Sequence, residues 1–482
     1  MNCEQYPNTT SSPLGPVLVA GFAGAIAVWC VWFAAPLPWI GLPESFAIAI
    51  MAVAWLFVTA ATLRLGGDTP SPIKGMGAGL VTALICLIPL SSRLQPVAAS
   101  SPSMASQIPA DAWQIVLLFL VSGAAIGVIA AALSRLIATQ WSVSSNQPRQ
   151  WLPRFAIVTA AAVGPLLFVG GLVTSNNAGM AVPDWPTTFG AQMFFYPMGH
   201  ETDPDVYLEH AHRLFGTLVG LSAIVLMLWA QMSGTSSTRW AKRFCIVVFA
   251  LVCLQGVLGG MRVWLETRLS GNDPQAAVRV GRLLAMVHGV SAQLVFGCII
   301  AAAAYLTQTY QRPEPDQGVD AKSARRLKIF ATALLHTLIL QLVFGALTRH
   351  FRKGDHALWT HAGFSIVVVV IATIVGFSAL ALPKSSTSRV IVTLRRVGVA
   401  LVVVTILQFL LGWVAFVVRG SDIKADTTWE ALIRTAHQAN GALLLAATAL
   451  TFVWSRWLWR VTRPATASAN PSIPTQSAAA LG

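Results

Sequence analysis

Apolar runs of about 20 residues, separated by short polar stretches, recur along the whole chain. A bilayer core takes about 20 apolar residues per helix. Twelve segments meet that length: 16–35, 45–63, 75–92, 113–134, 155–174, 212–234, 243–264, 283–307, 328–348, 357–382, 397–418 and 437–458. The third and fifth are short or interrupted by Pro and Gly. The pattern predicts an all-α polytopic membrane protein with about 12 transmembrane helices. The last residues, 464–482, break it: they are rich in Ala, Ser and Pro, a composition that predicts a disordered tail.

Composition agrees, with 55% hydrophobic and only 10% charged residues in 482. A net charge of +14 raises the question of nucleic acid, and its distribution argues against it. With the N-terminus placed in the cytoplasm, the cytoplasmic side collects 20 of the 32 Lys and Arg, among them Arg239, Lys242, Arg243, Arg325 and Arg326. The outer side holds 13 of the 18 acids. This follows the positive-inside rule and predicts both termini in the cytoplasm. The basic excess then faces anionic lipid rather than nucleic acid. The first 13 residues carry no Lys or Arg, so the first helix reads as retained rather than cleaved, which favours a bacterial cytoplasmic membrane. Five of the six Cys lie in apolar segments and the sixth, Cys3, lies in the N-terminal tail, so no structural disulfide is expected.

Histidine divides the chain. All nine imidazoles fall after residue 199. Residues 1–150 predict a four-helix membrane extension without visible chemistry. Residues 151–311 and 312–463 predict two repeated four-helix bundles. "FVGGLVT" (168–174) echoes "VFGALTR" (343–349), and "LQGVLGG" (254–260) echoes "LQFLLGW" (407–413). His212 and His288 are 76 residues apart, as are His361 and His437, and the two pairs are offset by 149. Each of the four opens a helix entering from the outer face, so two imidazoles per bundle can face each other across its interior.

Facing imidazoles on membrane helices suit a heme iron. Zinc suits them less, since each half offers two His without a Cys or carboxylate quartet, although Glu209 stands near enough in sequence to be a third ligand. Small residues beside the His (Gly289, Gly363, Gly441) would let a planar macrocycle approach the backbone, or let helices pack closely. Only the first half has a long outer loop, 175–211, rich in Gly, Asn, Pro and Thr, which reads as a lid. Its Trp185 and Phe189 suit an interfacial anchor equally well. Glu209 is also confined to the first half, since the matching position is Leu358. On a helix Glu209 and His212 share a face, while His210 points about 200° from His212. His210 is therefore read as a bystander. Arg213, Arg349 and Arg434 at the outer boundary are candidates for pairing with heme propionates, or for snorkelling.

The ordered set "GGLVTS…VPDWPTTFG", "EHAHRLFGTLVG", "LQGVLGGMRVWL", "MVHGVSAQL", "QLVFGALTRH", "LWTHAGFS", "LQFLLGW" and "TAHQANGALLL" resembles the heme A synthase family, over about 310 residues. The resemblance implies Glu209, His212 and His288 in a catalytic half that takes heme O as substrate and heme A as product. It implies His361 and His437 as axial ligands of a heme b cofactor. The implied reaction oxidises the C8 methyl of heme O to a formyl group for cytochrome oxidase biogenesis, with heme O synthase and a quinol or other electron donor as candidate partners. Leu166 stands where many members carry Gln, Asn176 and Asn177 replace part of a small-residue run, and the outer loop lacks a Cys pair found in some members. A non-oxygenating di-heme quinol-linked electron-transfer protein and a heme carrier are the alternatives. His336 is expected as a helix contact, and His200, His350 and His356 as loop residues.

Overall fold

The computed structural model describes residues 14–65, 70–91, 111–138, 150–196, 203–234, 237–311, 318–351, 356–419 and 424–462. Among them there are no strands, only an isolated bridge between Thr188 and Ala191. Among the described residues twelve helices are long and apolar enough to cross a membrane, and the chain is a multi-pass membrane protein. They are α1 (Gly15–Ala34), α2 (Glu44–Arg64), α3 (Pro72–Ser91), α4 (Ala112–Ala138), α5 (Trp151–Ser175), α6 (Pro204–Met232), α7 (Arg239–Ser270), α8 (Pro274–Tyr305), α10 (Ala321–His350), α11 (His356–Leu380), α12 (Arg389–Val417) and α13 (Thr428–Thr462). A single turn, α9 (Gln308–Gln311), lies between α8 and α10. The tail 464–482, Cys3 and His200 lie outside the described residues.

Several helices outrun their apolar cores. The sequence pattern starts the sixth segment at 212, yet α6 begins at Pro204. Asp203 caps it, its carboxylate accepting from the amides of Asp205 and Val206, and Pro204 occupies the first turn. Asp273 and Pro274 do the same for α8, which starts at 274 rather than 283. Hydropathy marks only the stretch that needs apolar side chains, and capped polar turns extend beyond it. The run Glu209–Arg213 thus lies inside α6, and the expected lid 175–211 ends at the cap Asp203.

Helix neighbours repeat in the second part of the chain. α5 packs on α6 and α7 on α8, as α10 packs on α11 and α12 on α13, with α8 and α13 meeting between the two sets. Where helices come closest, glycines line the contact. In the N-terminal part a side-chain carbon on Gly75 or Gly127 would run into the backbone of the other's helix, so α3 and α4 approach at backbone distance. That part is braced against α5 and α6. Phe22 packs edge-on to Phe155 and Trp29 to Phe215, Phe33 stacks on Tyr207, and the Tyr207 hydroxyl donates to the Phe33 carbonyl at 2.9 Å. Cys30, Cys86, Cys245, Cys253 and Cys298 are free thiols.

Candidate functional site: two facing imidazole pairs

The structure brings the four register histidines together as two pairs. His212 on α6 faces His288 on α8 with ring centroids 6.3 Å apart and planes 87° apart. His361 on α11 faces His437 on α13 with centroids 6.2 Å apart and planes 88° apart. Both pairs line a cavity of about 1250 Å³, above the ~300–1,000 Å³ of an ordinary small-ligand pocket. Two imidazoles binding one metal through nitrogen at about 2 Å hold their ring centroids roughly 6 Å apart, so each pair is already spaced for a metal between its rings.

Each ring has a seat, and the seat is a glycine on the preceding helix. A side-chain carbon built on Gly170 would lie 2.9 Å from Cε1 of His212, and one on Gly345 would lie 2.9 Å from Cε1 of His361. On Gly412 it would lie 3.1 Å from Cε1 of His437, and on Gly259, 3.6 Å from Cε1 of His288. The echoing motifs of the sequence are these seats. The residue four before each glycine presents its backbone carbonyl to the ring: Leu166, Gln255, Gln341 and Gln408. A carbonyl serves whatever the side chain, so Leu166 fills the role where the other three positions carry Gln. The Gln side chains add further ties: Gln341 donates to the His361 carbonyl at 2.9 Å, Gln255 to the Ser291 hydroxyl at 2.9 Å, and the Gln408 amide lies 3.3 Å from Nδ1 of His437. Nδ1 of His212, His288 and His361 is buried and makes no hydrogen bond of normal geometry among the described residues. The glycines beside the histidines do other things. Gly289 and Gly363 face open space, and Gly441 faces the Gln408 amide.

The neighbours of His212 turn to the loop between α5 and α6. Glu209 is 4% exposed. One carboxylate oxygen pairs with Arg213 at 2.7 Å, and the other accepts the Val182 amide at 2.8 Å. Arg213 also donates to the carbonyls of Val182, Asp184 and Thr187 at 3.1, 2.8 and 2.9 Å. Its fork is therefore occupied by the loop, and neither sequence reading of Arg213, propionate partner or snorkelling group, describes it. His210 is fully buried on the far side of α6 from the cavity, 3.2 Å from the Thr188 hydroxyl and packed on Tyr196. Asp184 ties the loop tip, accepting from the Thr187 hydroxyl and from the Phe189 and Gly190 amides. Partial burial alone would raise its carboxyl, but those donors and the Arg213 charge outweigh it and hold Asp184 below the usual carboxylate range. Trp185 lies against Gly260 and lines the cavity, so the loop roofs the first pair. No three of His, Cys, Asp and Glu converge among the described residues, and Glu209 is not a third ligand beside His212 and His288.

The other candidates fall into place around this. Arg434 pairs with Glu430, and Arg349 donates to the Thr174 carbonyl. His336 bonds the Thr332 carbonyl within its own helix at 2.8 Å. His350 lines the cavity and lies near Arg262 and Arg282 of the first half, while His356 starts α11 away from it. Arg262 and Gln408 are cavity residues that sequence reasoning did not single out, although both stand inside the quoted glycine motifs.

Comparison with known proteins finds a family model that matches part of the chain. Residues 153–363 match the family model COX15-CtaA, cytochrome oxidase assembly protein. The match spans α5 to the start of α11, so it includes His212, His288 and His361 and stops short of His437. The heme A synthase of Rhodopseudomonas palustris (strain HaA2) is 28% identical over 229 residues, which cover 43% of this chain and 57% of that protein. The heme A synthase of Bradyrhizobium sp. (strain ORS 278) is 25% identical over 229 residues, 43% of this chain and 58% of that protein. The chain thus spans less than two thirds of the length of these relatives, and the four N-terminal helices lie outside the family match.

Proposed function

We propose that the protein is a heme A synthase-like membrane oxidoreductase that converts the C8 methyl of heme O to a formyl group for cytochrome oxidase biogenesis. The observation that carries the reading is the twofold occurrence of one device: facing imidazoles about 6 Å apart, seated on glycine and lining one cavity. The relatives named heme A synthase support this chemistry among those that two porphyrins permit.

In this reading residues 151–311 form the substrate half and residues 312–463 the cofactor half, with 1–150 as an extension. His361 and His437 would hold heme b, which when bound supplies one-electron redox chemistry. His212 and His288 would hold the heme O substrate. Each ring would offer one nitrogen to the iron, with the carbonyl of Leu166, Gln255, Gln341 or Gln408 beside it to orient the imidazole. Glu209, one turn before His212 on the same face, fixes the loop that covers the first pair, and its carboxyl group stands where a proton acceptor would be needed. Among the described residues, the first half combines the acid one turn from an imidazole, the roofing loop and the imidazole pair, which makes it the reactive half in this reading. By the charge distribution, the roofed end faces the outer side of the bacterial cytoplasmic membrane. Taking a methyl to a formyl group removes four electrons and adds one oxygen atom. The reaction therefore calls for an oxidant such as dioxygen, with a quinol or other electron donor to reduce the remaining oxygen to water, and for heme O synthase as the source of substrate.

The test is to express the full chain in cells that supply heme O but lack another source of heme A, and to extract the hemes. Heme A, or its hydroxymethyl precursor, is the expected product. Heme B with heme O unchanged would overturn the reading in favour of a non-oxygenating di-heme electron carrier.

A further inference from the structure

Among the described residues, five arginines and one carboxylate, Glu209, line the cavity: Arg213, Arg262, Arg349, Arg419 and Arg434. Four of the arginines have partners already. Arg213 holds the loop, Arg434 holds Glu430, Arg349 holds Thr174, and Arg419 lies over the Phe416 ring. Arg262 differs. Its Nε is buried without a hydrogen bond among the described residues, the Glu266 carboxylate stands off at 3.5 Å, and Glu209 is within its electrostatic reach while paired to Arg213. A partly buried guanidinium with a buried donor left unfilled costs stability unless an acceptor completes its set of partners.

Its position is specific. Arg262 follows Gly259, the seat of His288, by three residues, so it lies one turn further toward the loop end on the same helix face. Both His212 and His288 lie within its electrostatic reach. Its terminal nitrogens rest against Gly179 of the loop, where any side chain would meet them. The second half has no counterpart, since the residue three after Gly412 is Ala415.

We propose that Arg262 is the carboxylate-recognition residue of the first-half site, pairing its guanidinium fork with a propionate-type carboxylate of the porphyrin bound between His212 and His288. The inference rests on the porphyrin reading above. Glu266 steadies the Nε edge, Gly179 leaves room for the terminal nitrogens, and the planar fork matches a carboxylate through two parallel hydrogen bonds. Because the same guanidinium touches the loop, the ligand's carboxylate and the roof meet at one side chain. A porphyrin without free carboxylates would lose this contact in the first half and nothing comparable at Ala415 in the second.

The experiment titrates the purified full-length protein with iron protoporphyrin IX and with its dimethyl ester, following Soret absorbance. In the wild type one site should prefer the free acid. Arg262→Gln should weaken the free acid at that site about ten- to hundred-fold, the range of a charge-assisted hydrogen-bonded pair, and leave the diester unchanged. Arg262→Lys, which keeps the charge without the fork, should fall between. Equal weakening of acid and diester would mean a structural role and would overturn the proposal, as would an unchanged preference for the acid in Arg262→Gln. A wild type that binds both porphyrins without discrimination sinks only this proposal, whereas one that binds neither sinks the porphyrin reading itself.

Discussion

His212 and His288 face each other across 6.3 Å between ring centroids, with planes 87° apart, and His361 and His437 reproduce that relationship at 6.2 Å and 88°. Two helices carry each pair, and a glycine on the preceding helix fixes each ring. The spacing belongs to the protein's own packing, so loss of one ring should empty one site and spare the other. His212→Ala should reduce heme from two per chain to one, and His361→Ala should remove the other. His210→Ala should retain both, because that ring faces Thr188 and Tyr196. Heme-to-protein stoichiometry by pyridine hemochrome checks this, and loss of a heme in His210→Ala would overturn the assignment.

The glycine seats give a second prediction. A methyl at Gly345 would stand 2.9 Å from Cε1 of His361, closer than real side-chain carbons approach, whereas nothing lies within 4 Å of such a carbon on Gly164. Gly345→Val should displace the imidazole and strip heme from the second pair alone, at an overpacking cost of about 1–3 kcal/mol. Gly164→Ala should be silent. Heme content and thermal unfolding of the two variants separate seat from general helix packing, and equal heme retention in both would remove the seat's significance.

What the sequence revealed of this site follows the physics of its signals. Hydropathy finds twelve spans because each must satisfy the bilayer by itself. His212 rather than His210 was legible because helical periodicity puts Glu209 and His212 on one face, and because the 149-residue offset selects the same residue independently. The seats were not legible. Gly289 and Gly363 stand beside the histidines in sequence, yet Gly170 and Gly345 meet the rings in space, and which helix lies against which is a property of packing. The same holds for Arg213. Its charge was visible, but the three loop carbonyls that occupy it carry no sequence signal, because a carbonyl is present at every residue.

The loop between α5 and α6 should be insensitive to pH over the neutral range. Asp184 is held below the usual carboxylate range by its donors and by Arg213. A carboxyl with a depressed folded value stabilises the fold above its unfolded pKa of about 3.9 and loses that contribution as pH falls through the lower folded value. Protection of the Phe189 and Gly190 amides against hydrogen exchange should therefore be flat from about pH 8 to pH 5 and decline only below about pH 4. Asp184→Asn should abolish the acid limb and lower protection at every pH. A decline centred near pH 6 would assign the titration to an imidazole instead.

The N-terminal helices should act on the first pair and not on the second. Trp29 is fully buried and meets Phe215 at 5.6 Å, while Phe33 packs on Phe215 and on Tyr207. Phe215 lies three residues after His212, so this aromatic cluster backs the turn of α6 that presents the imidazole. The Ser91 hydroxyl reaches the Phe194 carbonyl in the roof loop, which ties the same part of the chain to the lid. Removing an aromatic side chain of this size from a closed core costs about 3–5 kcal/mol. Trp29→Ala should lower the unfolding temperature and release the porphyrin between His212 and His288 first. The porphyrin between His361 and His437, held by α11 and α13, should persist. Heme stoichiometry during stepwise heating reads the order of loss. Simultaneous release of both would show that the extension supports the bundle as a whole rather than α6.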